Sequence, residues 1–300
     1  MSRSISLVLG SGGARGYAHI GAIEAFGERG YAIKSISGCS MGALVGGVYA
    51  AGNLENFKRW AINLDWIGAL KLVDLSLLAT GGAIKGEKVF EKIAPFFGDK
   101  RIEDLPIRFT AVATDLDGKK EFWFQEGDLK TAIRASVAIP TIFTPIYHNS
   151  RALVDGAVLN PLPIAPTMSD RTELIAAVNL CANYSTPLNL APYALATERK
   201  KPLLARLKKL LIKLGLWNSR ARANVTQLDI FQRVIEVMQD SMTLYKIAGY
   251  LPDILVEIPI DSCKTYDFHK AEEMIKLGYD LTLCAIDKYE ARGENKVIAP

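Results

Sequence analysis

Cysteine, histidine and long apolar runs are all scarce in this 300-residue sequence. Four cysteines, at positions 39, 181, 263 and 284 with no C-x-x-C spacing, exclude a disulfide framework and a zinc cage, and they fit a reducing, cytoplasmic address. No stretch approaches the roughly 18 uninterrupted apolar residues that a membrane span requires. The N-terminus offers one basic residue and then a short strand, in place of a charged region, a long apolar region and a cleavage site. The sequence is therefore expected neither to cross a membrane nor to carry an export signal.

What is present is enough for a real core: 49% of the residues are hydrophobic and 23% charged, which excludes disorder and fits one large or two modest domains. The net charge of +4 hides an asymmetry, because Arg199–Arg222 holds nine Lys or Arg and no acidic residue. Setting those nine apart from the 36 basic residues leaves 27 against 32 acidic ones. One segment is basic and the body is acidic, which argues against a nucleic-acid-binding surface and for one local patch that meets something anionic.

Strands are expected at Ile5–Leu9, Ile33–Ser37, Phe109–Thr114, Leu153–Asp155, Leu174–Leu180 and Ile254–Ile258, each a short apolar run ended by polar or Gly/Pro punctuation. Between the first two, Ile20, Ile23 and Phe26 recur at near-helical spacing and Gly30 stops the helix. A small-faced apolar helix follows the second strand through Ala43, Leu44, Gly46, Gly47 and Ala50, and amphipathic helices are expected at about Val225–Ile247 and Phe268–Tyr289. This β-α-β-α order implies parallel strands with right-handed crossovers, hence an α/β layer fold. No linker forces a cut, so a single domain over residues 1–300 is expected, with a core at about 5–182 and 225–290 and an insertion at about 183–224.

The sharpest chemical signal is Gly38-x-Ser40-x-Gly42, between an expected strand and helix. A tight turn there lifts a serine hydroxyl off the sheet edge, flanking glycines let the backbone pass, and the helix N-terminus adds positive potential. Taken alone G-x-S-x-G is a weak pattern, and an ordinary strand-to-helix turn would look the same. The loop Gly10-Ser11-Gly12-Gly13-Ala14-Arg15-Gly16 also joins strand to helix, and its successive amides can converge on a phosphate or an oxyanion. A dinucleotide site is disfavoured by Arg15 and by a next strand that closes at Ser37 without an acidic residue; a P-loop lacks its Gly-Lys-Ser/Thr. An oxyanion hole serving Ser40 fits better. Asp155-Gly156-Ala157 follows an apolar strand, and none of His19, His148 and His269 sits in a triad context, so Asp155 is the economical base for Ser40.

These blocks, in order, resemble the patatin-like phospholipase family. The resemblance extends through Thr114-Asp115-Leu116, Arg134-Ala135-Ser136-Val137-Ala138-Ile139-Pro140 and Phe268–Gly278, and so covers most of the chain outside about 183–224. It implies a three-layer α/β/α sandwich with a mainly parallel sheet, and serine acyl hydrolysis of lipid esters without a cofactor or metal. Ser40 would be the nucleophile of a Ser-Asp dyad with Asp155, and the amides around Gly12 and Gly13 the oxyanion hole. Arg15 and Gly16 would support the loop, Arg15 alternatively meeting an anionic head group, while Gly38 and Gly42 shape the turn. A lipid or phospholipid would be the substrate; a non-catalytic lipid-binding protein of the same fold is the alternative. One departure is Ser11, where the family commonly has the first of three consecutive glycines.

Within Pro202–Trp217, Leu203, Leu207, Leu210, Leu211, Leu214 and Trp217 share a helical face opposite Arg206, Lys209 and Lys213, with Lys208 flanking it and Ile212 and Leu216 breaking the partition. That pattern suits the plane of an anionic bilayer, as it suits a packed helix with a solvated basic face. A peripheral place at the inner membrane face is expected from it.

Overall fold

The computed structural model describes residues 3–64, 90–140, 143–182 and 227–297. Two compact units emerge: Met1–Asn183 with Gln239–Pro300, and Tyr184–Met238. The basic stretch Arg199–Arg222, with the amphipathic helix expected over Pro202–Trp217, lies outside the described residues.

The first unit is built on an eight-stranded mixed sheet. β1 (Ser4–Leu9), β2 (Ala32–Cys39), β3 (Arg108–Asp115), β7 (Leu174–Ala182) and β8 (Ile254–Pro259) run parallel, while β4 (Lys120–Phe124), β5 (Ile146–His148) and β6 (Arg151–Asp155) join through antiparallel pairings. The order is β5-β6-β3-β2-β1-β7-β8, with β4 paired to β3. β1 is central and its Ile5–Leu9 stretch is buried, the continuous apolar pattern expected of a parallel strand covered on both faces.

The α-helices among the described residues are α1 (Ala18–Glu28), α2 (Met41–Ala50), α3 (Leu54–Ile62), α4 (Leu129–Ser136), α5 (Gln227–Gly249) and α6 (Ala271–Val297), with short 3₁₀ turns between elements. Adjacent strand residues face opposite sides, and both sides of β1 are covered. Gly46 of α2 seats against Leu9, Ile36 and Phe109, while Val8 on the other face packs with Leu162, Ile164, Ala177 and Ile247 of α5. The layered α/β reading of the sequence therefore holds.

Differences from the sequence reading lie mostly at the periphery. The sequence reading places no element at β4, β5, α3 or α4, although α3 and α4 are amphipathic; β5 has three residues and α4 eight. The last helix begins at Ala271, after a single 3₁₀ turn at Phe268–Lys270. The second strand runs on past Ser37 through Gly38 to Cys39, because both pair with β3.

β3 measures out the rest. Its Ala111 and Val112 pair with Gly38 and Cys39 of β2, and its Ala113, Thr114 and Asp115 pair with Asp155, Val154 and Leu153 of β6. β4 pairs with all five of these residues, so it fills one edge of β3 while β2 and β6 meet end to end along the other. Cys39 and Asp155 are thus opposite consecutive residues of one strand.

Candidate active site

Ser40 follows directly on Cys39, with φ 53° and ψ −121°. A non-glycine residue held there costs about 1–3 kcal/mol and persists only where its surroundings fix it. Two sets of contacts do so. The Ser40 N–H donates to Ser136 Oγ at 2.9 Å, and Ser136 Oγ in turn donates to the Val112 carbonyl at 2.6 Å. On the other side α2 presses against β1: a Cβ on Gly42 would lie 2.0 Å from the Leu9 carbonyl oxygen. Gly38 sits in register between Leu9 and Ala111.

The hydroxyl so presented donates to Asp155 Oδ2 at 2.6 Å, and both residues are only 4% exposed. The other carboxylate oxygen accepts the Ala157 N–H at 2.9 Å and the Cys39 thiol at 3.8 Å. Burial dominates the ionisation of Asp155 and raises its pKa from 3.8 to about 6, against the opposing pull of the bonds from Ser40, Ala157 and Cys39. Burial also pushes the Cys39 thiol well above its usual range, which keeps it protonated and able to donate.

The glycine loop wraps the N-terminal end of α2, with Gly16 directly under the Met41 side chain and Gly10 beside Gly42. Gly13 has φ +57°, and a Cβ there would stand 2.5 Å from Thr265 Cγ2, so the position demands glycine twice over. The loop's amides divide sharply. Ser11 N–H donates to Pro161 O at 2.8 Å and Ala14 N–H to Thr265 O at 2.8 Å, whereas the Gly12 and Gly13 amides have no acceptor among the described residues. The departure at Ser11 thus falls on an amide already committed elsewhere.

Arg15 is buried, and its guanidinium donates to three carbonyls: Leu180 at 2.9 Å, Ile260 at 3.2 Å and Cys263 at 3.1 Å. It ties the loop to the ends of β7 and β8 and is not presented to a head group. Arg15→Ala is expected to cost about 2–4 kcal/mol in denaturant unfolding, since the carbonyls left behind stay dry. Unchanged stability would mean the loop holds itself.

The histidines lie elsewhere. His19 is fully buried with Nε2 donating to the Gly10 carbonyl at 2.8 Å, and burial lowers its pKa to about 4, so it is neutral at ordinary pH. His148 stacks edge-on with Phe122 and Phe124 in the β5–β6 hairpin, and His269 sits in the turn before α6. Two residues at the site, Ser136 and Cys39, fall inside the sequence blocks but take no role from them. Each acts through a partner more than 90 positions away.

The family model described as patatin-like phospholipase matches residues 7–168. The chain belongs to the patatin-like phospholipase family. An uncharacterized NTE family protein of Mycobacterium bovis is 35% identical, with 99% of this chain and 95% of that protein covered. Lysophospholipase NTE1 of Saccharomyces cerevisiae is 28% identical over 93% of this chain, which spans 16% of the yeast protein. Among solved structures, VipD from Legionella pneumophila aligns with a TM-score of 0.46 at 15% identity, covering 96% of this chain and 67% of its own. This patatin-like chain thus falls in a family of lipid hydrolases, and among its described residues no helix is long and apolar enough to cross a membrane.

Proposed function

We propose that this chain is a serine acyl hydrolase of lipid esters, of phospholipase A or lysophospholipase type, working through a Ser40–Asp155 dyad. One observation carries the reading: a serine held at positive φ donates its hydroxyl at 2.6 Å to a buried carboxylate. The family, and a yeast relative named as a lysophospholipase, support the substrate class.

In the first step Ser40 Oγ attacks the ester carbonyl carbon while its proton passes to Asp155 Oδ2. The carbonyl oxygen becomes an oxyanion and takes the uncommitted amides of Gly12 and Gly13, helped by the N-terminal end of α2. Collapse of the tetrahedral species breaks the bond to the alcohol, which leaves with the proton from Asp155. Water then attacks the acyl-enzyme by the same route, giving the free acid and restoring Ser40. A carboxylate is a weak base; burial, by raising Asp155 to about 6, brings it closer to the working pH and leaves most of it ionised at neutrality.

The test is labelling by a fluorophosphonate, read by intact mass, beside hydrolysis of short and long p-nitrophenyl esters. One label on the wild type, none on Ser40→Ala and parallel loss of turnover are expected. Folded protein that takes no label and turns over no ester, with and without anionic liposomes, would favour the non-catalytic lipid-binding reading.

A further inference from the structure

The strands around Asp155 continue beyond the level of the site. From the row where Ala113 faces Asp155, β3 and β6 extend to Asp115 opposite Leu153, and the Leu116 N–H reaches the Ala152 carbonyl at 3.0 Å. Ala152 is in turn opposite Tyr147 of β5. Leu116, Ala152 and Tyr147 therefore form one row across three strands, three residues past Asp155. At about 3.3 Å per residue, that row stands roughly 10 Å beyond the reacting carboxylate.

Residues directly opposed in antiparallel strands share a face, so Leu116 and Tyr147 project together on either side of the small Ala152. They are 47% and 79% exposed. A single exposed leucine or tyrosine means little; two in one row at the site's end of the sheet, though on the face opposite to the Asp155 side chain, and close to unpaired cations, mean more. Lys119 closes the β3–β4 turn and Lys120 opens β4, both exposed and without a carboxylate partner among the described residues.

The acidic groups near them are committed. Asp115 is buried, accepts the Gly118 N–H at 2.8 Å and lies 3.7 Å from Arg151; Asp117 accepts the Ala152 N–H at 3.2 Å. Glu121 is bound to Lys246 at 2.6 Å. Both turns are tight, with positive φ at Lys119, Asn149 and Ser150, so the row is held in shape before it meets a partner.

We propose that these two hairpin tips are the face by which the chain docks on an anionic lipid surface. Leu116 and Tyr147 enter the headgroup region, and Lys119 and Lys120 meet the lipid charge. Tyrosine suits that boundary because its ring is apolar and its hydroxyl is wet, and lysines beside an anionic bilayer add attraction that salt screens. Docked this way, the end of the sheet that carries Ser40 and Asp155 faces the lipid. The proposal rests on the acyl hydrolase reading for its choice of partner.

Co-flotation of the full chain with phosphatidylcholine vesicles, with and without phosphatidylglycerol, tests it. Wild type and Ser40→Ala are expected to bind alike and to prefer the anionic vesicles. Leu116→Asp with Tyr147→Asp, and separately Lys119→Glu with Lys120→Glu, should each weaken that binding by about tenfold or more. Hydrolysis of vesicle lipid should fall in parallel, with turnover of a monomeric short-chain ester and thermal unfolding unchanged. Full binding by both double variants, equal binding to neutral vesicles, or no binding by wild type would overturn the proposal. Hairpin-dependent binding by a chain that hydrolyses no ester would leave the docking face standing and remove the hydrolase reading instead.

Discussion

Asp155→Asn is expected to abolish ester hydrolysis, with kcat down by about a thousandfold or more, in a protein that still folds. Asparagine keeps the shape of the side chain, and its oxygen can still accept the Ala157 N–H that Asp155 takes at 2.9 Å. Its amide nitrogen, however, faces Ser40 Oγ where Oδ2 now accepts at 2.6 Å, and it can only donate. The serine loses its sole proton acceptor in the dyad, and a positioned general base is worth about 10²–10⁴-fold. Turnover of p-nitrophenyl esters measures the loss, and the fluorophosphonate label should fade with it. His148→Ala and His269→Ala should retain most of the activity, since His148 is engaged with Phe122 and Phe124 and His269 lies in the turn before α6. Activity that survives Asp155→Asn and disappears with a histidine would replace the dyad by a Ser-His arrangement.

Much of this site was legible before any coordinates because its parts are local. A strand, a G-x-S-x-G turn and a small-faced helix are coded within about a dozen neighbouring residues, and so is the strand that ends at Asp155. What one sequence does not encode is register. Nothing near Ser136 indicates that its hydroxyl bridges the Ser40 N–H and the Val112 carbonyl, because that depends on where α4 crosses β3. Cys39 stands in the G-x-S-x-G turn as an unassigned position for the same reason; its thiol acquires a partner only when β6 follows β2 along the edge of β3. Arg15 shows a third limit. Its charge and its place in a glycine loop suit an anionic ligand as well as a structural anchor, and only the fold shows the side chain bonded to three carbonyls.

The same aspartate should set both the pH at which the enzyme works and a penalty in stability. As a base it must be ionised, so kcat/KM should rise with pH through about 6 and fall tenfold for each unit below, in a profile governed by Asp155. The stability effect has the opposite direction from that of an ordinary salt-bridged carboxylate. Because the folded pKa of about 6 lies above the free value of 3.8, the native state holds the proton more tightly. That stabilisation is complete below about pH 3.8 and is lost as pH rises through about 6. At neutral pH the protein therefore carries a buried charge that its hydrogen bonds only partly compensate. Asp155→Asn removes the charge, so the inactive variant should be the more stable protein at pH 7, by about 1–3 kcal/mol, with the difference vanishing toward pH 4. Denaturant unfolding at the two pH values measures both. A variant less stable at both would mean that the bonds from Ser40, Ala157 and Cys39 outweigh the cost of burying the charge, and the acid limb of the activity profile should then sit well below pH 6.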